Sequence, residues 1–110
     1  MIARRDVFQA IADPTRRQIM TMLADKKMNV NSISDEFDMT RQAISLHVKI
    51  LQECNLISIE KEGRERICKA QYEQLTEVND WLETIRSTWK AKFNKLDNVL
   101  INLKNKNNET

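Results

Sequence analysis

The fold is decided by residues 33–54, which read ISDEFDMTRQAISLHVKILQEC. Their apolar spacing predicts a short helix over residues 33–37, a break over residues 38–40 and a second helix over residues 41–54. Thr40 is a suitable N-cap for the second helix, because its hydroxyl can accept a hydrogen bond from an amide of the first turn. Two helices joined by so short a turn indicate a helix-turn-helix, a unit that places its second helix in the major groove of DNA.

The segment that follows predicts a basic β-hairpin, which would give the winged form of this unit. Ile57 and Ile59, and Ile67 on the returning strand, alternate with polar neighbours as in a two-stranded ribbon. Gly63, the only glycine of the chain, stands at the turn between the strands. Val30 is placed to add one more rung to this small sheet. The predicted fold is therefore mainly α with a small β-hairpin, a winged helix-turn-helix.

Helix boundaries are predicted from cap residues and apolar spacing. Two helices precede the helix-turn-helix, over residues 4–11 and over residues 14–24. Asp13, which is followed by a proline, is a suitable N-cap for the second of them. One of residues 31–32 is expected to cap the third helix. Asn55 is expected to end the fourth helix, because helices commonly end at a Gly or Asn in the left-handed backbone conformation.

The last part of the chain predicts one long amphipathic helix. Residues 72–103 contain neither glycine nor proline, and apolar residues recur there at intervals of three and four. A helix of roughly 30 residues spans about 45 Å, which is longer than a small winged domain can cover. The stripe therefore predicts a two-fold homodimer, built from a single domain over residues 1–110 with a frayed tail at residues 104–110. The residues expected at the dimer interface are Val7, Phe8, Trp81, Leu82, Ile85, Trp89, Phe93 and Leu96.

Composition narrows the class of protein. With 110 residues, 41% of them hydrophobic and 31% charged, the chain has the size and balance of one ordinary folded domain. Its net charge of +2 is too small to indicate DNA binding by itself, so the clustering of basic residues in the first two thirds carries that inference. One histidine, one glycine and no phosphate-cradling loop argue against an enzyme. Neither a membrane span nor a signal peptide is recognised, which predicts a cytoplasmic protein without a membrane partner.

Three motifs give the chain a family resemblance. They are DPTRR at residues 13–17, MTRQAISLHVKIL at residues 39–51 and EGRER at residues 62–66. With them the sequence resembles the ArsR/SmtB family of bacterial winged-helix repressors over nearly its whole length. The resemblance implies a homodimer that binds a double-stranded DNA operator near its own promoter and leaves it when a signal arrives. Leu46 is a departure, because the motif usually has Lys or Arg there, and this implies a different operator or a changed phosphate contact.

The resemblance also bears on metal binding. Metal-sensing members carry a Cys-x-Cys pair where this chain has Asn29 and Asn31, and amides are poor ligands for thiophilic ions. The second metal site of the family uses Asp and His on the last helix, which has no histidine here. His47, the single histidine, cannot assemble a zinc site alone. The chain looks most like the branch without metal sites, whose last helix carries two tryptophans as at Trp81 and Trp89, so no metal and no cofactor are expected.

The residues predicted to contact DNA lie on the outer side of the second helix of the motif and in the hairpin. Gln42 can bond adenine bidentately and Arg41 can do the same with guanine, and Ser45 is a further candidate for base recognition. The remaining side chains are suited to phosphates or to the edge of the groove. The full predicted set is Thr40, Arg41, Gln42, Ser45, His47, Lys49, Arg64, Arg66 and Arg16.

Alternatives stay open at this point. Cys54 and Cys68 could form a redox switch that bends the recognition helix, although buried cysteines more often act as small apolar residues. Trp81, Trp89 and Phe93 could line a pocket for an unknown small-molecule effector, although aromatic residues at this spacing more often pack an interface. An alternative of another class is a helical protein-interaction module that dimerises through the last helix and does not bind DNA.

Overall fold

The computed structural model describes residues 6–108, with five α-helices and three β-strands over that range. Predictions that fall on residues 4–5 and 109–110 lie outside the described residues. The architecture is mostly helical with a small three-stranded antiparallel sheet, which confirms the predicted winged helix-turn-helix. The elements in chain order are α1 (Val7–Ile11), α2 (Pro14–Asp25), β1 (Met28–Asn29), α3 (Val30–Asp35), α4 (Arg41–Glu53), β2 (Ile57–Glu62), β3 (Glu65–Ala70) and α5 (Leu75–Asn108).

The first two helices begin at aspartate caps. α1 begins at Val7 rather than at residue 4, because Asp6 is extended and its carboxylate accepts a hydrogen bond from the Gln9 amide at 2.9 Å. The Gln9 side chain accepts in turn from the Asp6 amide at 3.1 Å, which completes a capping box. Asp13 caps α2 as predicted, since its Oδ2 accepts from the amide of Arg16 at 3.0 Å. The predicted start of α2 is thus confirmed, and that of α1 was wrong.

α3 starts earlier than the sequence predicts, because sheet pairing fixes the residues before it. β1 pairs with β3 in antiparallel register, so the chain is already extended up to Asn29. Asn29 is the N-cap, and its Oδ1 accepts a hydrogen bond from the Ser32 amide at 2.7 Å. Val30, predicted to add a rung to the sheet, instead opens the helix. The predicted start at residue 33 and the predicted cap at residues 31–32 were wrong for the same reason, and the helix ends at Asp35 rather than at residue 37.

The three strands have the order β1-β3-β2, with β3 in the centre. Ile57 pairs with Ala70 and Ile59 pairs with Cys68, so these four residues share the face that packs on the core. Ile67 pairs with Glu60 of β2 and occupies the opposite face. The returning strand therefore gives the core a cysteine and an alanine, and not its isoleucine.

One hydrophobic core joins the first four helices and the sheet. α4 contributes Ile44, Val48 and Leu51, all of them buried. Val7 of α1 is only 4% exposed and belongs to this core. The side chain of Val7, which was predicted to lie at a dimer interface, is thus already covered within one chain and leaves little surface for such a contact. Phe8, its neighbour, is half-buried against the same core.

α5 is a helix of 34 residues, so residues 104–108, predicted to be frayed, are helical. The chain divides into two compact units, one up to Val78 and one from Asn79 onward, and each includes part of α5. In the second unit most apolar side chains are exposed. They are Trp81, Leu82, Trp89, Phe93, Leu96, Val99, Leu100, Ile101 and Leu103. None of the helices in residues 6–108 has the length and apolar content needed to cross a membrane.

Candidate nucleic-acid interface

The residues of α4, which we call the recognition helix, divide into an exposed and a buried face. Thr40 caps its start as predicted, with Oγ1 accepting from an amide of the first turn at 3.1 Å. Arg41, Gln42 and Lys49 are exposed on one side of the helix. Ser45, on the same side, is half-buried. The buried apolar side chains Ile44, Val48 and Leu51 point the other way, into the core. The structure therefore brings these predicted side chains together on one open surface.

A residue in a left-handed conformation joins the recognition helix to the wing, which is the hairpin of β2 and β3. Asn55 has φ +60°, which confirms the predicted helix end. The Leu56 amide then donates to the Leu51 carbonyl at 2.9 Å, and the Gln71 amide donates to the Leu56 carbonyl at 2.8 Å. Gly63, at the far end of the wing, has φ +64°, a conformation that L side chains rarely adopt. Backbone bonds thus fix the base of the wing to the helix.

A groove of about 430 Å³ lies between the wing and the recognition helix. Arg64 and Arg66 line it from the wing, and Arg41 and Ser45 line it from the helix. Over the described part of the chain, Arg64, Arg66 and Lys49 take no part in an ion pair. Exposed cations that lack acidic partners are available for an anion, and DNA phosphates are the anions that such side chains contact most often in protein–DNA complexes.

Two asparagines connect the start of α3 to the elements around this groove. Asn31 Oδ1 accepts a hydrogen bond from Arg41 Nε, and Asn29 Nδ2 donates to Glu65 Oε1 at 3.2 Å. In metal-sensing relatives, by the resemblance, these two positions hold cysteines. No group of three His, Cys, Asp or Glu residues within the described range lies close enough to hold a metal ion. Sequence reasoning missed both links, because they join residues 10 and 36 positions apart.

His47 and Arg16, both predicted to contact DNA, lie together at the side of the recognition helix. His47 is half-buried, and its Nδ1 lies 3.9 Å from Asp13 Oδ2. The Arg16 guanidinium donates to the Ala10 carbonyl at 2.6 Å and to the Gln9 carbonyl at 3.0 Å. A guanidinium has five N–H groups, so some of them are still available for a phosphate. The two residues thus have a role within the fold, and their contact with DNA stays a prediction.

The pKa of Asp13, which lies beside His47 and Arg16, is set by opposing effects. Its partial burial acts to raise the pKa of the carboxyl group. The hydrogen bond from the Arg16 amide and the nearby charges of His47 and Arg16 act in the opposite direction, and together they hold the pKa of Asp13 below its ordinary value. The carboxylate is therefore ionised at neutral pH, which suits its role as the cap of α2.

Both cysteines are buried, and neither forms a disulfide. Cys54 Sγ donates to the carbonyl of Asp6 at 3.6 Å, and Cys68 lies on the inner face of the sheet. Burial raises the pKa of the Cys68 thiol, which lowers its thiolate fraction and its reactivity at neutral pH. These observations favour apolar packing over the redox switch as the role of the two side chains.

Known proteins resemble this chain in both sequence and structure. Residues 13–58 match the family model described as bacterial regulatory protein, arsR family. A solved ArsR family transcriptional regulator is 34% identical in sequence and superposes with a TM-score of 0.68, over 76% of this chain and 86% of the other. The chain belongs to the ArsR family. The resemblance seen in its motifs is thereby confirmed.

Other relatives of this ArsR-family protein are regulators too. The ArsR-like transcriptional regulator from Rhodococcus sp. RHA1 is 31% identical with a TM-score of 0.66, over 84% of this chain and 88% of that one. The transcriptional repressor SdpR of Bacillus subtilis (strain 168) is 37% identical over 54% of this chain and 66% of SdpR. Three curated relatives are matched over only 45–66% of their own length. The family and these relatives are transcriptional regulators and not enzymes, which confirms the predicted class of protein.

Proposed function

We propose that this ArsR-family protein is a homodimeric, metal-independent repressor that binds an operator through the recognition helix and the wing. One observation carries the proposal. Arg41 and Ser45 of the recognition helix and the two wing arginines, Arg64 and Arg66, border the same groove. A helix that enters the major groove would bring such a wing to the neighbouring phosphates. The protein would act in the cytoplasm, where bacterial DNA is found.

The exposed side chains suggest a division of roles. Gln42 can accept and donate toward one adenine, and Arg41 can donate twice to one guanine. Lys49 and the wing arginines Arg64 and Arg66 would contact phosphates, because they are exposed and have no acidic partner within residues 6–107. Thr40 acts first as the helix cap, since its hydroxyl already accepts an amide hydrogen bond.

The exposed apolar side chains of α5 support the homodimer. At about 1.5 Å per residue, a helix of 34 residues is about 51 Å long, and its apolar stripe extends through most of that length. Trp89 is 58% exposed, although its ring lies beside that of Phe93, with 5.9 Å between the two ring centres. Contiguous exposed apolar surface of this kind marks an interaction surface, and a second copy is the simplest partner.

Hydrogen bonding supports metal independence. Asn29 and Asn31 use their side chains to cap α3 and to hold Glu65 and Arg41, and carboxamides are weak ligands for soft metal ions. We expect operator binding to be unchanged by a chelator or by added Zn²⁺ or arsenite. Release of the operator by one of these ions, in a protein that is otherwise stable, would contradict this part of the proposal.

Operator binding can be tested by fluorescence anisotropy. The purified protein is titrated into labelled duplex DNA from upstream of its own gene at several salt concentrations, with an unrelated duplex of equal length as the control. We expect tight binding to the upstream duplex, weakening steeply with salt, and feeble binding to the control. Transcription in vitro from the same upstream DNA should fall when the protein is added. Equally feeble binding to both duplexes at every salt concentration would favour the protein-interaction module instead.

Dimerisation can be tested separately by sedimentation equilibrium. Leu96→Glu places a charge on the apolar stripe and should shift the protein toward monomer. Lys95→Glu is the matched control, because it adds the same side chain at an exposed polar position one residue away. A wild-type protein that is monomeric at micromolar concentration, or two variants that behave alike, would argue against α5 as the dimer helix.

A further inference from the structure

Leu46 is an apolar side chain on the polar face of the recognition helix. It is 59% exposed, and within Arg41–Glu53 it is the large hydrophobic residue that stays accessible, whereas Ile44, Ile50 and Leu51 are buried. Gln42 lies one helical turn before it and Lys49 lies three residues after it. These residues therefore neighbour one another on the same side of the helix.

The position of Leu46 limits what it can contact in DNA. Side chains four residues apart on a helix are about 6 Å apart, and successive base pairs are about 3.4 Å apart. Leu46 would therefore meet a base pair one or two steps from the pair that Gln42 contacts. A leucine has no hydrogen-bonding group, so it cannot recognise the polar edges of guanine, adenine or cytosine. The apolar group that the major groove presents is the 5-methyl group of thymine.

We infer that Leu46 determines operator specificity by packing against the 5-methyl group of a thymine close to the base pair contacted by Gln42. The inference rests on the proposed operator binding and adds one base of the operator that the protein recognises. Packing the exposed side chain on this methyl group removes apolar surface of both from water, which stabilises the complex. A cytosine at the same place offers no methyl group and loses hydration of its amine.

The test compares thymine with deoxyuridine, which keeps the base pairing and removes only the methyl group. Tight-binding duplexes are first selected from a random pool, and each thymine of one half-site is then replaced in turn. With the wild-type protein we expect a replacement near the centre of the half-site to weaken binding about fourfold, the effect of exposing one methyl group. With Leu46→Ala the same replacement should change the dissociation constant by much less than twofold.

Two control variants separate this effect from a general loss of binding. Gln42→Ala should bind more weakly but keep the fourfold preference for thymine over deoxyuridine. Leu46→Lys should lose that preference, bind unrelated DNA more tightly and steepen the salt dependence, by about 0.9 in log–log slope for one added phosphate contact. The urea midpoint of each variant verifies folding, and no large shift is expected because both residues are exposed.

Failure of the inference can be distinguished from failure of the proposed function. If the wild-type protein selects no sequence and binds all duplexes alike, sequence-specific operator binding fails. If it selects an operator in which no deoxyuridine replacement weakens binding, or if Leu46→Ala retains the full fourfold effect, operator binding stands and the role of Leu46 is overturned.

Discussion

Arg16 Nη1 lies 3.2 Å from His47 Nδ1, which connects α2 to the recognition helix. A guanidinium has no acceptor, so the two groups form a hydrogen bond only when Nδ1 of the imidazole is the acceptor. The same guanidinium holds the last carbonyls of α1. Arg16 is therefore a junction between three helices, whatever further contact it makes with DNA.

Arg16→Ala is expected to lower the free energy of unfolding by about 2 kcal/mol, because charge-assisted hydrogen bonds to partly buried acceptors are lost. Urea denaturation monitored by circular dichroism measures the effect. Arg17→Ala is the matched control. Arg17 also donates to two carbonyls, those of Ile11 and Ala12, but it is exposed and its partners can be hydrated, so the loss should stay below about 1 kcal/mol. Equal effects of the two substitutions would contradict the junction role of Arg16.

The stability of the protein should depend on the ionisation of Asp13. Its pKa in the folded protein lies below the ordinary value of 3.8, so its charged form stabilises the fold. This contribution is complete above the ordinary pKa and is lost as pH falls through the lower pKa of the folded state. Asp13→Asn keeps a good N-cap and removes the charge. The free-energy gap between wild type and Asp13→Asn, from urea unfolding at about pH 7 and about pH 2, should close toward the lower pH. A gap that is constant with pH would refute this account.

Asn55 should tolerate glycine better than alanine. At φ +60°, glycine has no steric penalty. For a residue with a Cβ and no local hydrogen-bonding group, this conformation costs about 1 kcal/mol of conformational free energy. We expect Asn55→Gly to have a urea midpoint close to that of wild type, and Asn55→Ala to be less stable by about 1 kcal/mol. An alanine variant as stable as the glycine variant would show that the left-handed conformation is not maintained.

Gln42 and Arg64 should affect DNA binding in different ways. Gln42→Ala should lose about 1 to 3 kcal/mol of discrimination at one base pair, with an unchanged salt dependence. Arg64→Ala should weaken binding to all sequences alike and reduce the log–log salt slope by about 0.9 for each half-site. Anisotropy titrations with single-base operator variants at several salt concentrations separate the two. A Gln42→Ala protein with unchanged base preference would remove Gln42 from the recognition set.

The features that the sequence predicts correctly depend on short-range interactions. The caps at Asp13 and Thr40 and the left-handed Asn55 each involve residues no more than a few positions apart, so their patterns are visible in the chain. The recognition helix is predicted correctly because its apolar residues recur at the helical period. Its exposed side chains, the larger part of the predicted DNA site, follow directly from that periodicity.

The errors involve contacts between distant parts of the chain. Asn29 caps α3 because strand pairing with residues near Ile67 leaves it extended, and a sequence window cannot show that pairing. Val7 is buried because α1 packs on the core, and its local sequence pattern does not show this contact. The hydrogen bond between Arg16 and His47 spans 31 positions, so the sequence showed two basic side chains but not their contact.

The two faces of the recognition helix have different evolutionary freedom. Ile44, Val48 and Leu51 are shared with the core, so their replacement would endanger folding. Gln42 and Leu46 are exposed, and substitutions at such surface positions usually change stability by less than about 0.5 kcal/mol. After gene duplication, one copy could therefore acquire a new binding sequence through a few surface substitutions while keeping its architecture. A bacterium with many paralogues on this scaffold could keep their regulatory circuits separate in this way.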